Sequence, residues 1–213
     1  MKMKKPLGYY NYTVILTYIG MLFAFAGILM SFAGNYLDSV ILLMAAGICD
    51  MFDGSIASTR TRTDAEKRFG IQIDSLSDLI SFGVMPAIFV FMITGRTLVA
   101  AFVSALYTLA ALIRLAYFNV SEEDRQKATT EKRKYYNGVP VTTIAVLLPL
   151  AYLVQNKFGI RGTAGYVLML VVVGIGFISP VEIRKPNIVG KICLIIVGLT
   201  ELLSVLFMGW DIV

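Results

Sequence analysis

Residues 36–57 read YLDSVILLMAAGICDMFDGSIA, and beyond a short polar connection residues 70–78 read GIQIDSLSD. The first stretch is long and apolar enough for a bilayer-spanning helix, which needs about 20 mostly apolar residues. Yet it carries Asp50 and Asp53 near its end, and the next apolar run opens with Asp74 and Asp78. An acid at mid-span costs about 2.5–3.5 kcal/mol on insertion scales, so such a residue reads as functional by default. Helical spacing puts Asp50 and Asp53 (i,i+3) on one face, and Asp74 and Asp78 (i,i+4) on another. The connection between them is short, so the two helices are expected to be antiparallel neighbours whose acids converge on one cavity.

Working outward, apolar runs suited to spans occur at about 13–33, 36–57, 72–95, 97–119, 138–155, 163–181 and 188–209. The expected fold is all-α: a polytopic membrane helical bundle of six to seven transmembrane helices forming one domain over residues 1–213. Composition agrees. Of 213 residues 57% are hydrophobic and only 15% charged, against a usual charged fraction of about 25%, and the mean hydropathy is +0.75. The chain has no histidine, which excludes Ser-His and Cys-His catalysis and histidine zinc sites. Cys49 and Cys193 lie far apart in apolar runs, a pattern of core thiols rather than a metal pair or a disulfide framework.

The cations are distributed unevenly over this topology. Sixteen fall on the side of the amino terminus, among them Lys2, Arg60, Arg68, Lys132 and Arg184, whereas only Arg96, Lys157 and Arg161 fall opposite. By the positive-inside rule the amino terminus, and with it the acidic cavity, faces the cytoplasm of a multi-pass cell-membrane protein. The first apolar run follows a basic start but is too long for a signal peptide and lacks a clear cleavage site, so it is expected to stay uncleaved. Tyr9, Tyr10 and Tyr12 suggest an interfacial aromatic belt on a short amino-terminal surface helix. The net charge of +5 sits in short loops beside spans, where orientation and anionic lipid headgroups account for it, and no nucleic-acid partner is expected.

Packed carboxylates without His or Cys suit hard divalent cations, Mg²⁺ or Mn²⁺. Four acids could clamp two ions. The competing structural reading pairs them with Arg60, Arg62, Lys67 or Arg68 in buried salt bridges, a weak source of stability for four regularly spaced acids. Gly54, Ala57 and Gly70 keep the faces beside the acids shallow, so that a flat ligand could lie against bare backbone.

Taken together the segment is D-x-x-D-G-x-x-A followed, after Ser58 and eleven more residues, by G-x-x-x-D-x-x-x-D. This resembles the signature of the CDP-alcohol phosphatidyltransferase family, with an arginine replaced by Ser58 and a spacer three residues longer. Three further segments, S81-F82-G83-V84-M85-P86, R114-L115-A116-Y117-F118-N119 and N137-G138-V139-P140, are similar to the phosphatidylserine synthase branch. The resemblance implies transfer of a phosphatidyl group from CDP-diacylglycerol to L-serine with release of CMP, at a cytoplasm-facing site with two divalent ions (Mg²⁺ or Mn²⁺). It further implies that Asp50, Asp53, Asp74 and Asp78 are metal ligands, Asp78 also the base, and that Gly54, Ala57 and Gly70 line the nucleotide pocket with Asp53 and Asp74. Members of the family are often homodimers.

A sister enzyme using glycerol 3-phosphate, inositol phosphate or another alcohol is the alternative acceptor reading. A divalent-cation transporter is the alternative of another class, and it predicts acids spread through the membrane depth. Arg60 or Arg62 could replace the missing family arginine. Arg114 and Asn119 are candidates for an acceptor pocket, Arg114 having a snorkelling anchor as its ordinary reading. Arg184 and Lys185 could bind a lipid phosphate, and Glu201, in the middle of the last apolar run, is expected to meet a polar partner.

Overall fold

A computed structural model describes residues 7–128, 135–159, 162–184 and 188–210. The helices are α1 (Tyr12–Phe32), α2 (Tyr36–Ala57), α3 (Asp64–Asp78), α4 (Met85–Ile93), α5 (Leu98–Ala128), α6 (Ile144–Lys157), α7 (Ala164–Ile178) and α8 (Ile188–Trp210). A π-helical segment, Leu79–Val84, joins α3 to α4 without a break. Two three-residue strands, β1 (Tyr135–Asn137) and β2 (Glu182–Arg184), pair antiparallel with Tyr136 opposite Ile183. Among the described residues the fold is therefore all-helical apart from this one ribbon.

Among the described residues four helices are long and apolar enough to cross a membrane: Tyr12–Phe32, Tyr36–Ala57, Asp64–Ile93 and Leu98–Arg125. The runs expected as fifth and sixth spans form shorter apolar helices. With 14 and 15 residues, α6 and α7 extend only ~21–23 Å at 1.5 Å per residue, below the ~30 Å hydrocarbon thickness. α6 starts late because Gly138 takes a positive φ of 77° and Pro140 is extended, which holds the beginning of the expected span outside the helix.

The amino-terminal surface helix does not form over the described residues 7–11. Gly8 has φ 115°, and Asn11 caps α1 by accepting from the Thr13 N–H at 3.1 Å. All three tyrosines stay exposed, and two of them touch neighbouring segments. Tyr9 packs edge-on against Phe69 of α3, with ring centroids 5.3 Å apart, and the Tyr12 hydroxyl is 3.1 Å from Thr59 Oγ1 in the α2–α3 connection.

α1 buries a stripe of mostly small residues that includes Thr13, Thr17, Gly20, Ala24, Gly27 and Ser31, and this stripe lets α2 approach closely. A Cβ on Gly20 would stand 3.1 Å from Cys49 Cβ. Helix α3 begins where Thr63 and Glu66 form a capping box: the Glu66 N–H reaches Thr63 Oγ1 at 3.2 Å, and the Thr63 N–H reaches Glu66 Oε2 at 2.9 Å. Glu66 also accepts from Asn11 Nδ2 at 3.0 Å and pairs with Arg60 at 3.7 Å. One carboxylate thus joins the start of α1, the connection and the start of α3.

The π-helical segment has a local cause. Pro86 has no N–H to give the Phe82 carbonyl four residues back, and the Met85 N–H bonds to Ile80, five residues back. The Phe82 carbonyl accepts instead from the Tyr107 hydroxyl of α5 at 2.7 Å. Phe82 and Tyr107 are both fully buried in a core that also holds Met85, Phe89, Tyr166 and Phe177. In α8 Glu201 is 6% exposed, and among the described residues neither of its carboxyl oxygens has the polar partner expected for it.

Tyr107→Phe keeps the ring and removes only this hydroxyl. The expected cost is about 1–2 kcal/mol, read as a lower thermal unfolding midpoint in detergent. An unchanged midpoint would mean that backbone donors alone serve the Phe82 carbonyl.

Candidate active site

The last turns of α2 and of α3 bring their acids together although the expected close antiparallel pairing of the two helices does not form: both pack on α1 instead. Asp50, Asp74 and Asp78 each offer a carboxylate oxygen within 4.8 Å of the others. Asp53 stands against Asp74, and Asp50 against Asp78, at hydrogen-bonding reach. The four acids of the motif therefore meet at one end of the bundle, with Asp53 outside the tight group of three. Its Oδ2 accepts a 3.0 Å hydrogen bond from Thr17 Oγ1 of α1, and it is 9% exposed.

The salt-bridge reading does not hold for these acids. Among the described residues Arg60 pairs with Glu66 and Lys67 with Asp64, and no ion pair joins Arg60, Arg62, Lys67 or Arg68 to the four aspartates. Half-buried carboxylates this close repel one another unless a cation or protons intervene. All-oxygen donors on two neighbouring helices fit a hard divalent ion, so the residues present suit the metal that the motif implies.

The small residues of the motif differ in their surroundings. A Cβ on Gly54 would meet nothing within 4 Å, so the space beside Asp53 is open. Gly70 is covered: a Cβ there would stand 3.1 Å from Arg62 Nη1. Ala57 is half-buried one turn beyond Asp53. Ser58 turns its hydroxyl back to the Ser55 carbonyl at 2.7 Å. Of the two arginines offered as substitutes for the family's, Arg60 is engaged by Glu66 and Arg62 reaches back over Gly70.

Arg114 is buried rather than an exposed anchor, being 6% exposed. Its Nε donates to the Val139 carbonyl at 3.2 Å, its Nη2 lies 3.5 Å from the Gly138 carbonyl, and its guanidinium sits 5.6 Å from the Phe118 ring centroid. Gly138 in turn donates to the Val181 carbonyl at 2.8 Å, and Val139 to Gly176 at 3.0 Å. A Cβ on Gly138 would come within 2.7 Å of the Phe177 carbonyl. Three segments separate in sequence, residues 114–119, 137–140 and 176–181, are thus tied into one unit. It borders a cleft of about 330 Å³ lined by Arg114, Tyr117, Asn137, Ser179 and Glu182 among others.

Asn119 faces the aspartate side, where its Oδ1 accepts from Ser75 Oγ at 2.9 Å, one residue past Asp74. Arg184 closes β2 opposite Tyr135, and Lys185 lies outside the described residues. A larger cleft of about 380 Å³ opens at the opposite end of the bundle, beside Tyr36, Tyr152 and Tyr166. Tyr36 is 14 positions before Asp50 on α2, ~21 Å along the axis, so this cleft is remote from the acids.

Two participants escaped the sequence reading. Thr17 gave no motif, although its i,i+4 partnership with Thr13 in an otherwise apolar run marks a polar stripe. Glu66 did give one, since Thr63-x-x-Glu66 is a capping-box pattern.

Comparison with known proteins adds to this geometry. The sequence profile described as CDP-alcohol phosphatidyltransferase matches residues 10–178. The chain belongs to the CDP-alcohol phosphatidyltransferase family. It is 37% identical over 125 residues to the CDP-diacylglycerol–serine O-phosphatidyltransferase of Saccharomyces cerevisiae, covering 57% of this chain and 44% of the yeast protein. It is 33% identical over 149 residues to the enzyme of the same name from Helicobacter pylori, covering 68% and 59%. It is 30% identical over 167 residues to the archaetidylserine synthase of Methanothermobacter thermautotrophicus, covering 78% and 66%. The matches to the yeast and Helicobacter enzymes thus span about half the length of those proteins.

Membership in this family carries the divalent-metal expectation with it, and the acidic cluster allows a stability test of it. Asp74→Asn removes one like charge, so the metal-free protein should unfold at a higher temperature than the parent. Mg²⁺ or Mn²⁺ should raise the midpoint of the parent by mass action and that of the variant less. Equal metal-induced shifts in both proteins would remove Asp74 from the metal site.

Proposed function

We propose that the chain transfers the phosphatidyl group of CDP-diacylglycerol to the hydroxyl of L-serine, releasing CMP and forming phosphatidylserine. The observation that carries this reading is the convergence of Asp50, Asp53, Asp74 and Asp78 at one end of an apolar bundle, in a chain whose relatives are named for serine transfer. The metal would be Mg²⁺ or Mn²⁺, two ions held by the four aspartates. When bound, it neutralises charge on the entering and leaving oxygens of an in-line phosphoryl transfer.

The chain's own residues supply the remainder. The open surface over Gly54 and the half-buried Ala57 accept the flat nucleotide, with Arg62 at Gly70 placed to meet its phosphates. Serine's hydroxyl is a poor nucleophile at neutral pH, and without histidine a carboxylate is the best available proton acceptor. Asp78 takes that proton. The serine oxygen then forms a bond to the phosphorus bearing the diacylglycerol, and the phosphorus–oxygen bond to CMP breaks. Arg114 acts through the 137–140 loop, which it holds against α5, and Asn119 through Ser75.

The same reading places the acids at the cytoplasmic face of the cell membrane, supported by the sixteen-to-three distribution of cations. It takes α6, α7 and α8 as crossing with the four longer helices, to six or seven spans in all. A homodimer belongs to it on the family resemblance alone. The transporter reading fits less well, because the four acids gather at one end and Glu201 alone among the described acids lies deep in the last helix.

Purified protein offered CDP-diacylglycerol, metal and a panel of acceptors should release CMP fastest with L-serine. Faster release with glycerol 3-phosphate or inositol phosphate would move the chain to a sister activity, and no metal-dependent CMP release with any alcohol would reject the transferase reading. Within that assay Asp78→Asn should bind CDP-diacylglycerol and metal nearly as the parent does, yet lose turnover by about 10²–10⁴-fold, the usual worth of a general base. Asp53→Asn should weaken metal and nucleotide binding together. Turnover in Asp78→Asn close to the parent's would hand the proton to water or to a substrate phosphate oxygen.

A further inference from the structure

Helix α1 contributes no acid to the cluster, yet it touches both halves of the motif at a single residue. Thr17 is 7% exposed. A threonine inside a helix usually spends its hydroxyl on a carbonyl one turn back. Here the Thr17 hydroxyl donates to Asp53 Oδ2 across the α1–α2 contact at 3.0 Å. The backbone carbonyl of the same residue accepts from Ser77 Oγ of α3 at 3.3 Å, and Ser77, 8% exposed, immediately precedes Asp78.

Two acids on α2 and two on α3 repel one another, and nothing on either helix opposes that repulsion with a paired cation. A third helix that grips both supplies a fixed reference. The side chain of Thr17 fixes the rotation of the Asp53 carboxylate and leaves Oδ1 for other contacts. Its carbonyl, through Ser77, sets the depth of the turn bearing Asp78. Gly20, one turn on, lets α2 come close enough for the first of these bonds, since a Cβ there would already press on Cys49.

We propose that Thr17 is a positioning residue for divalent-cation binding, holding Asp53 and, through Ser77, the Asp74–Asp78 turn in the geometry that receives the ion. The inference rests on the metal reading given above. Groups that orient metal ligands in this way are typically worth 10–100-fold in metal affinity or activity.

The test is Mn²⁺ binding to the full-length chain in detergent, followed by the loss of the free-ion signal in electron paramagnetic resonance, beside thermal unfolding of the metal-free protein. Thr17→Val keeps the shape and removes the donor, and should weaken Mn²⁺ binding about tenfold. Thr17→Ser restores the donor and should bind within about twofold of the parent, with Ser77→Ala falling between the two. Parent-like Mn²⁺ affinity in Thr17→Val overturns the inference and leaves the metal reading standing. Equal weakening in Thr17→Val and Thr17→Ser, with matching falls in the metal-free unfolding midpoint, also overturns it by reducing Thr17 to a packing role. A parent protein that binds no Mn²⁺ overturns the metal reading itself, and the inference with it.

Discussion

Four carboxylates pressed together at one end of an apolar bundle, without a paired side-chain cation among the described residues, are the constraint that organises this molecule. Like charges at such distances push the helices that carry them apart, so the frame must be stiff before any ligand arrives. Its stiffness comes from bonds that tie the two acidic helices to the rest of the bundle. Glu66 joins the α2–α3 connection to the start of α1. Thr17 and Ser77 lock α1 to both acidic helices, and Tyr107 ties α5 to the segment just after Asp78. The ligands are on two helices, and the bonds that hold them reach to α1 and α5.

The same division explains what could be read from the sequence. Spacing of three and four residues placed each acid pair on one helical face, a local inference that needed only the helix period. The faces meet because α2 and α3 both pack on α1. Expected and observed boundaries of α1, α2, α7 and α8 agree within three residues. The support was harder to see because it depends on contacts between residues far apart in sequence, such as Thr17 with Asp53, 36 positions away. Arg114 shows the limit most plainly. Its place at the end of an apolar run suggested an anchor or a substrate contact, whereas its guanidinium is turned onto the carbonyls of a loop some 25 residues further on.

Two expectations failed for the same physical reason. A surface helix for Tyr9, Tyr10 and Tyr12, and an uninterrupted span from residue 138, were both inferred from composition, which records hydropathy but not backbone demand. Gly8 and Gly138 adopt positive φ, and at Gly138 the bend answers a tertiary requirement. At Gly138 that requirement is exacting, because carbonyls of the α7 end occupy the space where a side chain would be.

The π-helical segment at Leu79–Val84 has a geometric effect on everything beyond it. Each turn closed by a bond to the fifth residue back contains one residue more than an α-helical turn. Faces assigned by counting threes and fours from Asp74 and Asp78 therefore lose their phase before Phe89 is reached. The acids and the aromatic core can then look toward different neighbours from one continuous helix, the acids toward α1 and α2 and Phe89 toward Tyr36, Tyr152 and Tyr166. In evolutionary terms the segment behaves as a one-residue insertion absorbed by the helix itself. A single deletion between residues 79 and 84 could be accommodated as regular α-helix, but it would rotate one functional half of the molecule against the other by about 100°, the angular step of one residue.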